Sequence, residues 1–379
     1  MIHFKQIATG MQYIFRLLYP LLWINVLLFP ALGVAQTSRC EKQNPVEKKL
    51  IEWSAVEPDS RTVRKLANQF ELTPFDGFVF RATTRTGEQM MWHIWGDREY
   101  VLEEFGQVID DFQATRFVNS TDRFLRVNVT PGSVDWFNDD AWKIVLHNFQ
   151  VAAQLAKQTG SIGILFDTEQ YNIRLFDSEE MQKVFPHHSQ DYRTKLRQRG
   201  REWIQAINEA YPDITILMTF GYRAAQKSEI KNFRVGNYEL LAPFLDGILS
   251  ACDERTKIID GWEYAYGYQR ECEFRNARHV MKHQANNWAA DGCRYQKHVQ
   301  ASFGLWTDYS LRDYGWDLTE HSKNFHTPLD FESRLRFAMQ HSDRYVWVYS
   351  GVPNWWTGER LPTEYIDALT NAKTAAQVE

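Results

Sequence analysis

From Lys48 onward, short apolar runs alternate with longer amphipathic stretches, and most of the runs break into a polar loop. Eight runs predict strands: Leu50 to Ala55, Phe75 to Ala82, Phe124 to Val129, Ser161 to Phe166, Ile214 to Phe220, Leu245 to Ala251, Gln300 to Trp306 and Tyr345 to Ser350. Runs of this kind suit strands covered on both faces. Between them, apolar residues recur at three and four over Glu99 to Ala114, Ala141 to Gln158, Tyr192 to Ala210 and Phe331 to His341, the spacing of helices with one buried side. Asp260 to Tyr268 reads as a long aromatic loop, and Glu271 to Trp288 as a further helix. Repeated strand, loop and helix call for a parallel sheet, and eight repeats fit an α/β fold of the (β/α)8 TIM-barrel type, one domain over residues 48–379. An open doubly wound sheet is less well supported, because Trp53-Ser54-Ala55-Val56-Glu57-Pro58-Asp59 after the first strand lacks a glycine-rich phosphate loop.

The N-terminal segment has a different pattern. Lys5 and Arg16 precede an apolar run from Leu17 to Leu32 that ends in Gly33-Val34-Ala35, which predicts a secretory signal over residues 1–35 and a linker over 36–47. A secreted or periplasmic protein without a stable membrane span in the mature chain follows. The alternative is an N-terminal membrane anchor, against which Pro20, Asn25 and Pro30 stand. Four cysteines, Cys40, Cys252, Cys272 and Cys293, follow the cut, and in an oxidising compartment Cys272 with Cys293 is the favoured pair, with free thiols as the alternative.

Charge narrows the partners. The 379 residues carry 24% charged side chains and a formal net charge of -5, with no basic face for nucleic acid. Aromatic residues make up 15%, including 14 Trp, more than a core of this size requires. Flat rings with polar rims suit a carbohydrate partner, since one face of a pyranose packs on an aromatic ring while its hydroxyls take side-chain partners.

In a barrel the chemistry sits on loops at the carboxyl ends of the strands. The fourth predicted strand breaks from Ser161-Ile162-Gly163-Ile164-Leu165-Phe166 into Asp167-Thr168-Glu169-Gln170-Tyr171. Continued strand geometry puts Asp167 and Glu169 on one face, their Cα atoms about 6.5 Å apart. Carboxylates that close raise one another's pKa, which makes a general acid at neutral pH. Glu169 is expected to be the proton donor and Asp167 its modulator, the alternative being helix capping or an ion pair with Arg174. Asp308 leads as the second carboxylate, with Asp253, Glu254 and Glu263 competing. Substrate contacts are expected from Trp53, Arg81, Asn128, Tyr171, Tyr222, Asp253, Glu254, Tyr266, Trp306, Trp355 and Trp356 at the other strand ends. No cofactor or metal is expected. His279 and His283 stand four apart without an H-E-x-x-H pattern, and no G-x-S-x-G elbow occurs.

These residues resemble those of TIM-barrel glycoside hydrolases over residues 48–370. Asp167-Thr168-Glu169 is similar to the tail of the strand-four motif of chitinase-like enzymes of glycoside hydrolase family 18, although Ile162 and Leu165 stand where that family carries earlier aspartates. That resemblance implies cleavage of N-acetyl sugars assisted by the substrate. The large clan with its acid on strand four and a glutamate nucleophile on strand seven is also similar, but it has Asn where this chain has Thr168 and Glu where it has Asp308. The expected function is an exported glycoside hydrolase acting on a polysaccharide or oligosaccharide by carboxylate acid/base catalysis. A carbohydrate-binding barrel without catalysis is the alternative.

Overall fold

The computed structural model describes residues 47–187, 189–226, 238–309 and 315–378. The expected signal over 1–35, nearly all of the linker 36–47 and Cys40 lie outside the described residues.

Nine strands form one parallel sheet: β1 (Lys49–Ser54), β2 (Gly77–Phe80), β3 (Phe124–Asn128), β4 (Gly163–Asp167), β5 (Thr215–Met218), β6 (Lys257–Asp260), β7 (Val299–Ala301), β8 (Phe303–Trp306) and β9 (Tyr345–Ser350). Their order is β7-β6-β5-β4-β3-β2-β1-β9-β8. Ser302 alone separates β7 from β8, and its N–H donates to the Asp260 carbonyl (2.9 Å). The run 299–306 is therefore one barrel position, paired with β6 through its first half and with β9 through its second. This closes a barrel of eight positions with helices between the strands, as the pattern predicts.

Two layers of side chains follow from the period-two alternation of strands. Ile51, Trp53, Val79, Phe124, Leu165, Leu217, Ile259, Tyr345 and Trp347 fill the barrel. Their neighbours along the chain, such as Leu50, Phe78, Leu125, Phe166 and Val346, face the helices and join the larger outer core.

The sixth strand lies elsewhere than the sequence pattern suggests. Leu245 to Ala251 belongs to the helix Leu241–Ala251, and the strand is the four-residue run Lys257–Asp260 that follows it. The helix packs against the helix Ser189–Ala210 and buries Leu241, Phe244, Leu245, Ile248 and Leu249, which recur at three and four, a spacing that the run from Leu245 alone is too short to show. Two glycines permit the contact: a Cβ on Gly200 would stand 2.0 Å from the Phe244 carbonyl oxygen, and one on Gly247 2.1 Å from that of Arg197. Cys252, Cys272 and Cys293 are free thiols, so the expected Cys272 to Cys293 pair does not form; the two stand on separate helices, Glu271–His279 and Gly292–His298. Among the described residues, no helix is long and apolar enough to cross a membrane.

Candidate active site

At the end of β4 the alternation that seats Leu165 in the barrel turns Asp167 inward too, and Asp167 is fully buried. Its carboxylate is bound on every side. Arg126 Nη2 donates to Oδ2 (2.7 Å), as does the Tyr171 hydroxyl (2.9 Å), while the Glu169 N–H donates to Oδ1 (3.0 Å). Arg126 stands inward on β3 and also donates through Nη1 to Glu57 Oε1 (2.5 Å), which accepts from Trp53 Nε1 (2.6 Å) as well. The guanidinium lies 5.1 Å from the Trp53 ring and 5.6 Å from the Trp92 ring. Burial opposes its charge, but Glu57 and Asp167 more than restore it, so its pKa lies above the ordinary value. Asp167 is an anchor whose acceptor sites are taken.

Glu169 is less enclosed. The Tyr171 hydroxyl, whose single proton can go to only one carboxyl at a time, lies against its Oε2 as well as against Asp167, and Tyr171 remains 46% exposed with its ring 5.7 Å from that of Trp92. Burial, then the negative charge of Asp167, pushes the Glu169 carboxyl up to about 7, against the hydrogen bond from Tyr171 and the charge of Arg126. Glu169 thus holds a proton at a pH where an ordinary glutamate has none.

A second carboxyl reaches the same mouth from the end of β6. Beyond Asp260 the chain turns through Gly261 and Trp262 into a short 3-10 helix, Glu263–Gly267. Glu263 is its first residue. Burial first, then the charges of Glu169 and Asp167, hold its carboxyl well above the usual range, against a hydrogen bond from Tyr266. Its Oε2 is buried with no hydrogen-bond partner among the described residues. The ring of Tyr266 stands 5.3 Å from Trp306, 5.4 Å from Trp347 and 6.0 Å from Tyr349, so aromatic faces wall this side.

The structure thus brings Trp53, Asp167, Glu169, Tyr171, Tyr266 and Trp306 to one mouth. Arg81 donates to the Glu57 carbonyl beside it, and Asn128, in register with Asp167, keeps a buried Nδ2 without a partner among the described residues. Others go elsewhere. Asp253 and Glu254 precede β6 rather than follow it, so they lie at the opposite end of the barrel; Asp253 binds Arg255 and Glu254 pairs with Lys297. Tyr222 points outside the barrel and donates to Asp246 (2.7 Å). Trp355 and Trp356, 1% and 2% exposed, pack in the outer core, where Trp356 stacks on Phe70 (4.1 Å) and donates to Glu52 (3.0 Å). They are not sugar platforms, because strand β9 delivers them to the space under the first helix. Asp308 accepts three N–H groups, from Trp306 Nε1 (2.9 Å), Gly351 (2.8 Å) and Val352 (2.9 Å), which ties two loops together.

Sequence reasoning passed over Arg126 and Trp92. Arg126 had a signal: a charge at an inward position of the otherwise apolar Phe124-Leu125-Arg126-Val127. Trp92, 37% exposed on a short 3-10 turn after β2, had none. Among the described residues no group of three or more His, Cys, Asp and Glu side chains is arranged to hold a metal ion.

No family model matches the chain, nor does any curated protein sequence. Among solved structures it is similar to an endo-beta-mannanase/endo-beta-glucanase of Prevotella bryantii, at 10% identity and a TM-score of 0.46, over 83% of this chain and 44% of that one. It is likewise similar to a broad-specificity GH5-4 endoglucanase from Clostridium longisporum, at 8% identity and a TM-score of 0.47, over 84% and 86% of the two chains. A 3-keto-D-glucoside 4-epimerase from E. coli matches at 14% identity and a TM-score of 0.43, over 86% and 100%. The chain spans less than half of the Prevotella protein. Likenesses of this size bear on no residue's chemistry, and the barrel assignment rests on the strand pairing. The resemblance to chitinase-like enzymes rests on Asp167-Thr168-Glu169 alone.

Proposed function

We propose that the chain is a glycoside hydrolase whose working pair is Glu169 and Glu263. The observation that carries this reading is electrostatic: two carboxyls come from different strand ends into an aromatic-walled barrel mouth, and the charge of Glu169 helps hold the proton on Glu263. Cleavage of a glycosidic bond needs a proton for the leaving oxygen and a carboxylate acting as nucleophile or base on the other side of the ring. Such a pair loses its protons in two steps that belong to both groups together. After the first, the charge rests on Glu169, where the Tyr171 hydroxyl and Arg126 stabilise it, and the proton stays on the more deeply buried Glu263. In this proposal Glu263 is the donor and Glu169 the carboxylate, which exchanges the role expected for Glu169 from the sequence. Asp167, saturated by Arg126 and Tyr171, fixes the floor, and Trp92, Tyr171, Tyr266 and Trp306 offer faces for sugar rings.

Incubation with soluble polysaccharides and their oligosaccharides, followed by assay of new reducing ends, tests the reading. Cleavage by the native chain that disappears in Glu169→Gln supports it. Full activity in that variant sinks it, and glycan binding with no new reducing ends favours a binding barrel instead. Aryl glycosides with good leaving groups separate the roles, because they need little protonation: Glu263→Gln is expected to retain them and Glu169→Gln is not.

A further inference from the structure

Glu263 does not reach the mouth by strand geometry. Period-two alternation puts Ile259 inside the barrel and turns Ile258 and Asp260 outward. Asp260 therefore ends β6 pointing away from the site, into a small cavity lined by Met218, Tyr222, Leu245, Ile258, Tyr295 and Val299. An ionisable side chain on this outward apolar side is unexpected. Its Oδ1 accepts the N–H of Trp262 (3.3 Å). Trp262 is left-handed, at φ 43° and ψ 61°, a conformation that L residues with bulky side chains avoid. Such a residue persists only where its surroundings hold it.

The Gly261 N–H donates to the Met218 carbonyl (2.8 Å), and the Gly261 carbonyl accepts from Trp347 Nε1 (2.8 Å). The Glu263 N–H donates to the Thr219 carbonyl at 3.3 Å, and Trp262 Nε1 donates to the Tyr268 hydroxyl (2.9 Å). Among the described residues, the Trp262 N–H is the one backbone donor of Gly261, Trp262 and Glu263 that a side chain satisfies, and that side chain is Asp260. Gly221 backs the carboxyl from the other side so closely that a Cβ there would stand 2.2 Å from Oδ2.

We propose that Asp260 is a positioning residue for Glu263: from behind the barrel wall its carboxyl braces the left-handed Trp262, and that turn sets the Glu263 carboxyl in the mouth. The inference rests on the reading of Glu263 as a member of the working pair. It assigns Asp260 no contact with substrate.

The test needs no substrate. In protein labelled with carboxyl-13C glutamate, the Glu263 resonance is identified by its loss in Glu263→Gln, and its titration midpoint is followed by NMR. In the native chain the midpoint is expected well above the ordinary glutamate range. In Asp260→Ala it is expected to fall by about one unit or more as the turn relaxes and Glu263 meets water, while Asp260→Asn, which keeps an oxygen for the Trp262 N–H, restores it. Gly221→Ala, which displaces the carboxyl without removing it, is expected to lower the midpoint as Asp260→Ala does, and it decides the matter should Asp260→Ala not fold. An unchanged midpoint in Asp260→Ala, or in Gly221→Ala, overturns the proposal. A midpoint near the ordinary glutamate value of about 4.3 in the native chain overturns instead the reading of Glu263 on which it rests.

Discussion

The ends of β4 and β6 deliver one carboxyl each to the same mouth by opposite means. At β4 the strand simply continues: Asp167 faces in, and Glu169 follows two residues later, the first anchored by the paired guanidinium of Arg126. At β6 the last residue, Asp260, faces out and has no ion pair among the described residues, and the chain must turn through a left-handed Trp262 before Glu263 enters. One end uses an ion network to hold a regular backbone; the other holds an irregular backbone with a lone buried carboxyl. A barrel mouth can therefore be furnished by alternation or by a turn, and only the first leaves a periodic trace in the sequence.

The comparison breaks most visibly in kinetics. If both ends serve one reaction, Glu169→Gln and Glu263→Gln each lower kcat/KM on an unactivated glycan by about 10³-fold, whereas Asp308→Asn, whose oxygens bind loop N–H groups, changes it by only a few-fold. Equal losses in all three would dissolve the pairing. The ionic anchor comes next. Arg126→Leu strands Glu57 and Asp167 as buried charges, and a loss of about 3–5 kcal/mol is expected in denaturant titration at neutral pH.

Asp260 sharpens the contrast through pH. Burial raises its carboxyl to about 7, opposed only by the Trp262 N–H. Between the ordinary aspartate value and 7 the folded chain holds a proton that the unfolded chain has lost, so stability falls as pH rises through that window, and the penalty is absent below it. Asp260→Asn is expected to remove this fall, a gain of about 2–4 kcal/mol at about pH 8 and almost none at about pH 4, measured as the difference between two denaturant midpoints. The smallest effect belongs to Trp92. Its exposed ring beside Tyr171 leads to an expected three- to ten-fold rise in KM for Trp92→Ala, about 1 kcal/mol, with kcat and Tm nearly unchanged.

What the sequence revealed divides along the same line. Strands β1, β3, β4 and β9 were legible because each is five or six residues long and rich in aromatic, β-branched and leucine side chains. The end of β4 was legible because Asp167 and Glu169 keep the period of two. The four-residue β6 was not, since a longer apolar helix, Leu241–Ala251, stood just before it and resembled a strand better. That displacement carried Asp253 and Glu254 to the wrong end of the barrel and left Glu263 stranded on a loop. Trp355 and Trp356 misled for another reason: a position after a strand does not say whether the chain turns over the mouth or under the helices. Here it turns under, and Glu52 accepts the Trp356 indole N–H from inside the outer core.

The crystal structure of the Glu169→Gln variant with a bound oligosaccharide tests the central claim most directly. The account predicts a glycosidic oxygen within hydrogen-bond distance of the Glu263 carboxyl, the residue 169 side chain on the other side of the same sugar ring, and rings stacked on Trp92, Tyr266 or Trp306. A sugar bound with Glu263 out of reach, and Asp308 released from Gly351 and Val352 to approach the scissile bond, would contradict it.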